Sequence, residues 1–334
     1  MKAVVLVGGF GTRLRPLTLT TPKQMLPVID RPMLEHVIGA LGRHGVDEVV
    51  LSLGYKEDVF NKAYPDARCA GVALDYAVEP EPLDTAGAVR FAAEAAGIDE
   101  TFIVVNGDVF TDLDVGQVWR RHHEVGAEGT IALTPVDDPS RYGVFPTDRE
   151  GKVLGFVEKP PRDEAPTNWI NAGTYVLEPS VLDRIDTGRR VSIERETFPS
   201  IVEDGGLWAV QSDADWVDAG TPDAYLQVQL DLLDGVRGAA VDGIAADAEI
   251  HPGASVEHSV VMAGASVAAG ARVRDAIISS GARVLADATV DRSIVGPGAV
   301  VGERAEVLDM SMIGEGAEVD AGSSLQSARL PESD

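Results

Sequence analysis

The chain has 334 residues, one cysteine and a formal net charge of −26 at pH 7, and this length predicts about two domains. The negative charge argues against a nucleic-acid or anionic-membrane surface, and a single cysteine excludes an intrachain disulfide or a cysteine zinc cluster. No apolar run is long enough for a signal peptide or a membrane span, so we expect a protein of the reducing cytoplasm.

The first stretch of the chain combines a buried strand, a glycine-rich loop and fixed cations. Residues 4–7 are apolar and mostly β-branched, which is typical of a buried strand. Gly8, Gly9 and Gly11 follow, and glycine lets backbone N–H groups approach an anion closely. Arg13 and Lys23 then supply phosphate-binding cations. The stretch predicts a nucleoside triphosphate site, although neither the P-loop spacing nor the G-x-G-x-x-G spacing is present.

Residues 8–18, GGFGTRLRPLT, with Pro22 and Lys23 after them, resemble the signature of the sugar-1-phosphate nucleotidyltransferases. Members of that family join a nucleoside triphosphate to a sugar 1-phosphate, release pyrophosphate and use Mg²⁺. The resemblance covers about the first seven-tenths of the chain and implies an enzyme with these two substrates. It also implies nucleotide contacts from Leu6, Gly8, Gly9, Gly11, Thr12, Arg13 and Lys23.

The next segments predict an α/β sheet. Pro32 opens a predicted helix that continues to about residue 45, and residues 49–53 and 72–78 are strand-like. Strand, helix and strand in this order predict a right-handed βαβ unit. We therefore expect a Rossmann-like, mostly parallel mixed sheet with flanking helices, whose ligands bind at the carboxyl ends of the strands.

Residues 82–87, PLDTAG, resemble the family's P-L-G-T-A-G loop, before a predicted helix over residues 86–96. The resemblance implies that the nucleotide is bound by Pro82, Thr85, Ala86 and Gly87. Asp84 stands where the family has glycine, which leaves the local loop geometry open. Glu79 can accept hydrogen bonds from the N1–H and N2 amino groups of guanine, whereas thymine or uracil requires an amide. Glu79 therefore favours GTP, and the alternative is a carboxylate at the loop rim.

Residues 102–106 predict a strand that ends in Gly107 and Asp108. Proteins hold Mg²⁺ through one or two carboxylates with phosphate oxygens and water, although a turn-capping aspartate is the alternative. The family uses this Gly-Asp for Mg²⁺, and residues 216–222 resemble its W-x-D-x-G-T-P motif. The resemblance implies that Asp108 and Asp218 bind Mg²⁺ and that Arg13 and Lys23 stabilise the reacting phosphates.

Two further motifs predict the sugar-phosphate site. Glu158-Lys159-Pro160 resembles the family's E-K-P, and residues 171–173 resemble its N-A-G. A carboxylate accepts two hydroxyl donors, and the adjacent lysine neutralises a phosphate, although a surface ion pair is the alternative. We expect the sugar phosphate at Gly107, Tyr142, Gly143, Glu158, Lys159, Asn171 and Gly173.

Residues 191–199, VSIERETFP, resemble a motif of mannose-1-phosphate guanylyltransferases, although a capped helix start explains the same residues. With Phe10 and Glu79, this motif favours GTP and mannose 1-phosphate as substrates and GDP-mannose as product. One alternative is a glucose-1-phosphate thymidylyl- or uridylyltransferase. Another is a non-catalytic regulatory subunit that binds nucleotide sugars, which would be expected to have lost Arg13, Lys23 or a metal aspartate.

From Ile250 an aliphatic residue recurs about every six positions, a period that resembles the hexapeptide repeat of left-handed parallel β-helices. We expect a catalytic domain over residues 1–238, a linker over 239–247, the β-helix over 248–328 and a tail over 329–334, disordered from Pro331. Capping, regulation or assembly into a homo-oligomer is the expected role of the repeats. The alternative is a hexapeptide acyltransferase that would have to use His251 or His258.

Overall fold

The computed structural model describes residues 1–54 and 56–332. The chain forms two compact units, of which the first comprises Met1–Gly9 and Leu34–Trp216. The second comprises Phe10–Met33 and the chain from Val217 onward. The glycine-rich signature is therefore divided between the two units after Gly9.

Strands and helices are labelled in chain order. The strands before the repeats are β1 (Lys2–Leu6), β2 (Pro27–Val28), β3 (Arg31–Pro32), β4 (Glu48–Leu53), β5 (Arg68–Cys69), β6 (Val72–Val78), β7 (Phe102–Asn106), β8 (Val109–Thr111), β9 (Gly129–Pro135), β10 (Gly143–Val144), β11 (Val157–Glu158), β12 (Trp169–Leu177), β13 (Leu207–Gln211) and β14 (Trp216–Asp218). The α-helices are α1 (Met33–Arg43), α2 (Glu57–Ala63), α3 (Asp84–Ala95), α4 (Val115–Val125), α5 (Phe198–Glu203) and α6 (Pro222–Leu233). Short 3₁₀ turns cover Thr12–Leu14, Leu17–Leu19, Lys23–Met25, Pro139–Arg141, Arg162–Glu164 and Pro179–Arg184, and a π-helical turn covers Ile193–Thr197.

The first unit is built on one mixed sheet, as the sequence predicts. Its main strand order is β11-β10-β12-β7-β1-β4-β6-β5, and β9 pairs with β12 and β13. β1 pairs in parallel with β4 and β7, and β4 pairs in parallel with β6. Because these four strands run in the same direction, their carboxyl ends lie along one edge of the sheet, where α/β proteins bind ligands.

Helix α3 covers the central strands with small side chains. Ala86, Val89 and Ala92 are fully buried and share one core cluster with Val4 and Val104. Alanine brings the helix backbone close to the sheet, and the apolar β-branched strand residues fill the space between them. This packing fixes the start of α3 near the carboxyl ends of the strands.

The second unit contains the β-helix. Its strands are β15 (Glu249–Ile250), β16 (Ser255–Glu257), β17 (Val260–Val261), β18 (Ser266–Val267), β19 (Arg272–Arg274), β20 (Ile277–Ile278), β21 (Arg283–Val284), β22 (Thr289–Asp291), β23 (Ile294–Val295), β24 (Val300–Val301), β25 (Glu306–Leu308), β26 (Met312–Ile313), β27 (Glu318–Val319), β28 (Ser324–Gln326) and β29 (Arg329–Leu330). They form three five-stranded parallel sheets. Val267 pairs with Val284, and Val284 pairs with Val301, so equivalent aliphatic residues of successive coils stack into one buried core. The predicted left-handed parallel β-helix is confirmed.

The repeats extend further than the sequence predicts. Arg329 and Leu330 lie in the predicted tail, yet they form β29, which pairs in parallel with β26. The last coil therefore extends beyond residue 328, the predicted end of the repeats. Part of the predicted disordered tail, residues 333 and 334, lies outside the described residues. Among the described residues, no helix has the length and apolarity needed to cross a bilayer.

Candidate active site

Glu79 and Gly8 meet at the carboxyl edge of the sheet. Glu79 directly follows β6 and is only 7% exposed. Its Oε1 accepts a hydrogen bond from Ser52 Oγ at 3.1 Å, and its Oε2 accepts one from the Leu83 backbone N–H at 3.0 Å. A Cβ atom at Gly8 would lie 3.2 Å from Glu79 Oε1, so the glycine lets the loop approach this carboxylate. Each carboxylate oxygen can accept a second hydrogen bond, which a bound base could supply.

Asp84 takes the backbone conformation that glycine adopts easily. Its φ is +61°, in the left-handed region, and its Oδ1 accepts the Thr85 backbone N–H at 2.7 Å. Aspartate tolerates this region better than most side chains, because its short polar group can bond locally. The departure from the family's glycine is therefore accommodated, and α3 begins at Asp84, two residues earlier than predicted.

The motif at residues 191–199 docks on the start of α3. Val191 O accepts the backbone N–H of Ala86 at 2.9 Å, and Thr85 Oγ1 accepts the Ile193 N–H at 2.8 Å. A Cβ atom at Gly87 would lie 3.1 Å from Arg189 O, so a side chain there would push this segment away. Thr85, Ala86 and Gly87, which are predicted to bind the nucleotide, therefore also hold this motif against α3.

A polar cavity of about 190 Å³ opens in the first unit. Its lining includes five of the predicted sugar-phosphate residues, namely Tyr142, Gly143, Glu158, Lys159 and Asn171, and three that the sequence analysis missed, namely Arg141, Glu194 and Arg195. Three cationic and two anionic side chains therefore surround one small cavity. Such a lining suits a ligand that carries both hydroxyl groups and a phosphate.

The side chains of the cavity hold one another in place. Arg195 donates to Glu158 Oε1 at 2.8 Å, and Lys159 Nζ lies 3.7 Å from the same oxygen. Asn171 Nδ2 donates to Glu194 Oε1 at 2.7 Å and to Tyr175 Oη at 2.6 Å. Burial, reinforced by the nearby charge of Glu158, raises the pKa of Glu194. Asn171 is therefore engaged by the protein, and the carboxylate that it orients faces the cavity.

Three glycines predicted at the sugar phosphate have packing reasons of their own. A Cβ atom at Gly107 would lie 2.8 Å from Val7 Cγ1, and one at Gly173 would lie 2.6 Å from Asn106 Nδ2. A Cβ atom at Gly143 would overlap the ring of Phe156. Gly143 also lines the polar cavity.

The two predicted metal ligands lie in different units. Asp108 follows β7 in the first unit and is half-buried. Asp218 ends β14 in the second unit, and its Oδ1 accepts the Gly220 N–H at 2.8 Å. Carboxylate oxygens are the donors that Mg²⁺ prefers, so both side chains fit a hard divalent cation chemically.

His122, His123 and Glu178 form a separate cluster, whose possible ligand atoms lie within 4.8 Å of one another. His122 Nδ1 is 2.9 Å from Thr130 Oγ1, and its Nε2 is 3.0 Å from Glu178 Oε1. Burial lowers the pKa of His122, which favours the neutral ring. Because both ring nitrogens are hydrogen-bonded, this cluster is explained as a polar link from α4 to β9 and to the residue that follows β12.

The signature loop, residues 10–33, is folded on itself within the second unit. Thr18 Oγ1 donates to Gly11 O at 2.8 Å, and the Leu14 N–H donates to the same oxygen at 2.9 Å. Gly11 has a φ of +61°, and a Cβ atom there would lie 3.1 Å from Lys23 Cβ. Lys23 is only 9% exposed, which is unusual for a lysine, whereas Arg13 is exposed.

Two known protein families match different parts of the chain. Residues 2–235 match the family described as Nucleotidyl transferase. The chain belongs to the nucleotidyl transferase family. Residues 241–332 match the family described as GMPPB C-terminal domain, which covers the β-helix of this nucleotidyl transferase.

Three known proteins illustrate the relationship. Mannose-1-phosphate guanylyltransferase of Mycobacterium tuberculosis is 40% identical over 78% of this chain and 73% of its own length. Mannose-1-phosphate guanyltransferase of Aspergillus oryzae is 44% identical over 68% of this chain, which spans 62% of that protein. The crystal structure of HddC from Yersinia pseudotuberculosis complexed with GMP-PN is 30% identical, covers 68% of this chain and 97% of its own, and has a TM-score of 0.58.

Nucleotidyl transferases of this family generally use a divalent metal ion. The residues that sequence reasoning missed in this nucleotidyl transferase are Arg141, Glu194 and Arg195, together with Ser52 beside Glu79. Glu194 and Arg195 belong to the motif at residues 191–199. The motif indicates a substrate preference, but it does not show that these two side chains line the cavity. Ser52 lies within an apolar strand and gave no signal.

Proposed function

We propose that this chain transfers a guanylyl group from GTP to mannose 1-phosphate, forming GDP-mannose and pyrophosphate. Family membership supports the reaction class. Relatives at 40–44% identity carry the name mannose-1-phosphate guanylyltransferase or guanyltransferase, and HddC was crystallised with GMP-PN. The substrate pair rests on the side chains described above.

The observation that carries the choice of GTP is the carboxylate of Glu79. It is buried at the strand edge, with one donor on each oxygen and Gly8 beside it. Guanine presents two adjacent donors, N1–H and the N2 amino group, and a carboxylate accepts both. Uracil and thymine present a donor between two acceptors, so a carboxylate in this position would disfavour them. Leu6, Gly8 and Gly9 would contact the base through backbone atoms.

Binding and charge neutralisation carry the proposed reaction. A phosphate oxygen of the sugar 1-phosphate attacks the α-phosphorus, in line with the departing pyrophosphate. Arg13 stabilises charge on the α-phosphate and leaving group, and Lys23 holds the triphosphate. Lys159 holds the sugar phosphate, and Glu158 with Glu194 orients the ring, while Asn171 holds Glu194 in position. The reaction requires no nucleophilic side chain.

Asp108 and Asp218 are the proposed ligands of Mg²⁺. Their carboxylates fit this ion, which lowers the charge on phosphate oxygens when it is bound. We also propose that the protein works in the cytoplasm, in keeping with a buried single cysteine, Cys69. Assembly into a homo-oligomer remains part of the proposal, with the β-helix as the expected contact.

The test is pyrophosphate release with five nucleoside triphosphates, each paired with mannose 1-phosphate or glucose 1-phosphate, in the presence of Mg²⁺. Turnover confined to GTP and mannose 1-phosphate supports the proposal, and Glu79→Gln should then shift preference towards UTP or dTTP. If the wild type prefers UTP or dTTP with glucose 1-phosphate, the protein is a uridylyl- or thymidylyltransferase and the proposed guanylyl transfer is wrong. Nucleotide-sugar binding without turnover would indicate the non-catalytic subunit.

A further inference from the structure

The signature loop and the β-helix belong to one compact unit and contact each other directly. Thr20 Oγ1 donates to Glu315 Oε2 at 2.5 Å. Pro16 is buried, and a Cβ atom at Gly314 would lie 3.0 Å from its Cβ and 3.2 Å from its Cγ. Gly314 and Glu315 form the turn after β26. This turn therefore meets the loop that carries Arg13 and Lys23, on the stretch between those two residues.

Contacts inside the loop connect this turn to the proposed phosphate-binding residues. Thr18, which lies between Pro16 and Thr20, donates to Gly11 O at 2.8 Å. The Cβ position of Gly11 lies 3.0 Å from Thr18 Cγ2 and 3.1 Å from Lys23 Cβ. A displacement of Pro16 or Thr20 would therefore move the backbone at Gly11 and the stem of Lys23, because packed side chains transmit small shifts.

Helix α6 holds the other end of the same loop. Tyr225 Oη donates to Pro27 O at 2.5 Å, and the Ile29 N–H donates to Gln229 Oε1 at 3.0 Å. Gln229 is fully buried. Asp223, in the first turn of α6, pairs with Arg292 of the β-helix at 3.2 Å. The loop is thus fixed at one end by α6 and in its middle by a coil of the β-helix.

We infer that Gly314 and Glu315 are positioning residues for the nucleotide-binding loop, so that the β-helix contributes to guanylyl transfer and not to assembly alone. For its catalytic consequence the inference rests on the proposed function. The physical reason is preorganisation: a cationic loop that stabilises a transition state must be held close to its productive geometry, and a small displacement lowers the rate. Glycine at 314 allows the close approach of Pro16, and Glu315 fixes Thr20.

Kinetics of the full-length protein test the hydrogen bond. Thr20→Val and Glu315→Ala should each lower kcat/KM for GTP by about three- to tenfold, the range of one hydrogen bond. The double variant should have the same kcat/KM as the less active of the two single variants, because both changes remove the same contact. Thr20→Ser keeps the hydroxyl and should restore wild-type values. Glu318→Ala, an exposed glutamate on the next strand, is the matched control.

Gly314→Ala tests the packing contact, with Gly253→Ala as its control, since a Cβ atom at Gly253 meets no atom closer than 3.4 Å. Hydrogen exchange over residues 11–25 should be faster in Gly314→Ala and Glu315→Ala than in both controls, and this readout needs no turnover. Normal exchange and kinetics in these variants would overturn the inference, as would faster exchange with unchanged kcat/KM. If the wild type shows no turnover, the proposed function and the catalytic effect of Gly314 and Glu315 are both refuted. Faster hydrogen exchange in the Gly314→Ala and Glu315→Ala variants would still support the contact between the β-helix and the signature loop.

Discussion

Asn171 and Glu194 form a half-buried pair in which the amide Nδ2 donates to the carboxylate Oε1 at 2.7 Å. The same Nδ2 donates to Tyr175 Oη, and Asn171 Oδ1 accepts the Gly173 N–H. These hydrogen bonds hold the asparagine side chain in one orientation. Glu194 is thereby held at the wall of the cavity beside Glu158. In the proposed reaction, Glu194 is therefore available as an acceptor for a sugar hydroxyl, and Asn171 holds it in position.

We predict that Glu194→Gln raises KM for mannose 1-phosphate by about tenfold, the cost of weakening a charged hydrogen bond, and leaves KM for GTP unchanged. Glutamine keeps an acceptor for Asn171, so the fold should be preserved. Steady-state kinetics with each substrate varied in turn measures the effect. Glu203→Gln, at the exposed end of α5, serves as the control. Equal changes in both KM values would contradict a sugar role.

The same carboxylate gives a pH dependence. Burial raises the pKa of Glu194, so protonation begins at a higher pH than for an exposed glutamate. Because the ionised form is the better acceptor of hydroxyl donors, kcat/KM for mannose 1-phosphate should fall as the pH decreases through that raised pKa. In Glu194→Gln this acidic fall should be lost. An unchanged profile in the variant would assign the titration to another group.

Asp108→Asn should lower metal-dependent turnover by at least about a hundredfold, comparable to the loss of a main electrostatic contact. The amide retains the shape of the side chain, so circular dichroism and thermal unfolding should match the wild type. Asp112→Asn, an exposed aspartate in the same segment, should keep near-normal rates. If Asp108→Asn also keeps near-normal rates across a Mg²⁺ titration, Asp108 is not a metal ligand.

The sequence predicted the sheet and the β-helix well, because the central strands are continuous apolar runs and the coils repeat an aliphatic residue about every six positions. It also predicted five residues of the polar cavity, because the motifs that resemble those of the family include them. It did not predict that residues 10–33 pack with the β-helix. Thr20 and Glu315 are 295 positions apart, and polarity alone does not identify such a partner. The sequence also did not predict the hydrogen bond from Asn171 to Glu194. A residue type defines which hydrogen bonds a side chain can make, but it does not identify the partners.

Asp84 offers a test of backbone strain at the start of α3. Its φ of +61° suits glycine, so Asp84→Gly should stay within about 1 kcal/mol of wild-type stability, as relief of strain offsets the added freedom of the unfolded chain. Asp84→Ala should be less stable than Asp84→Gly by about 1 kcal/mol, because alanine has neither the freedom of glycine nor the local bond of aspartate. Urea unfolding of both variants measures this. Equal stability of the two variants would exclude strain at this position.

His258 links the end of α6 to the β-helix by charge. Its Nδ1 is 2.6 Å from Asp275 Oδ1, and its Nε2 is 3.2 Å from Asp234 Oδ1, while Arg274 lies 4.0 Å from Asp275. The hydrogen bond to Asp275 is the main cause that raises the pKa of His258. The folded state therefore binds this proton more tightly than the unfolded state. The stabilisation is fully present below the unfolded pKa of about 6.5 and is lost as the pH rises through the raised value.

We therefore expect His258→Asn to lower the unfolding temperature of the β-helix at pH 6 by about 2 °C, a modest value because the pair is partly exposed, and to leave it unchanged at pH 9. Asparagine suits the left-handed backbone at this position, where φ is +43°, so the change removes charge without adding strain. Calorimetry at both pH values measures the difference. His251→Asn, in the same coil, is the control variant. A larger loss at pH 9 than at pH 6 would reverse the sign of the argument and exclude the imidazolium as the stabilising form.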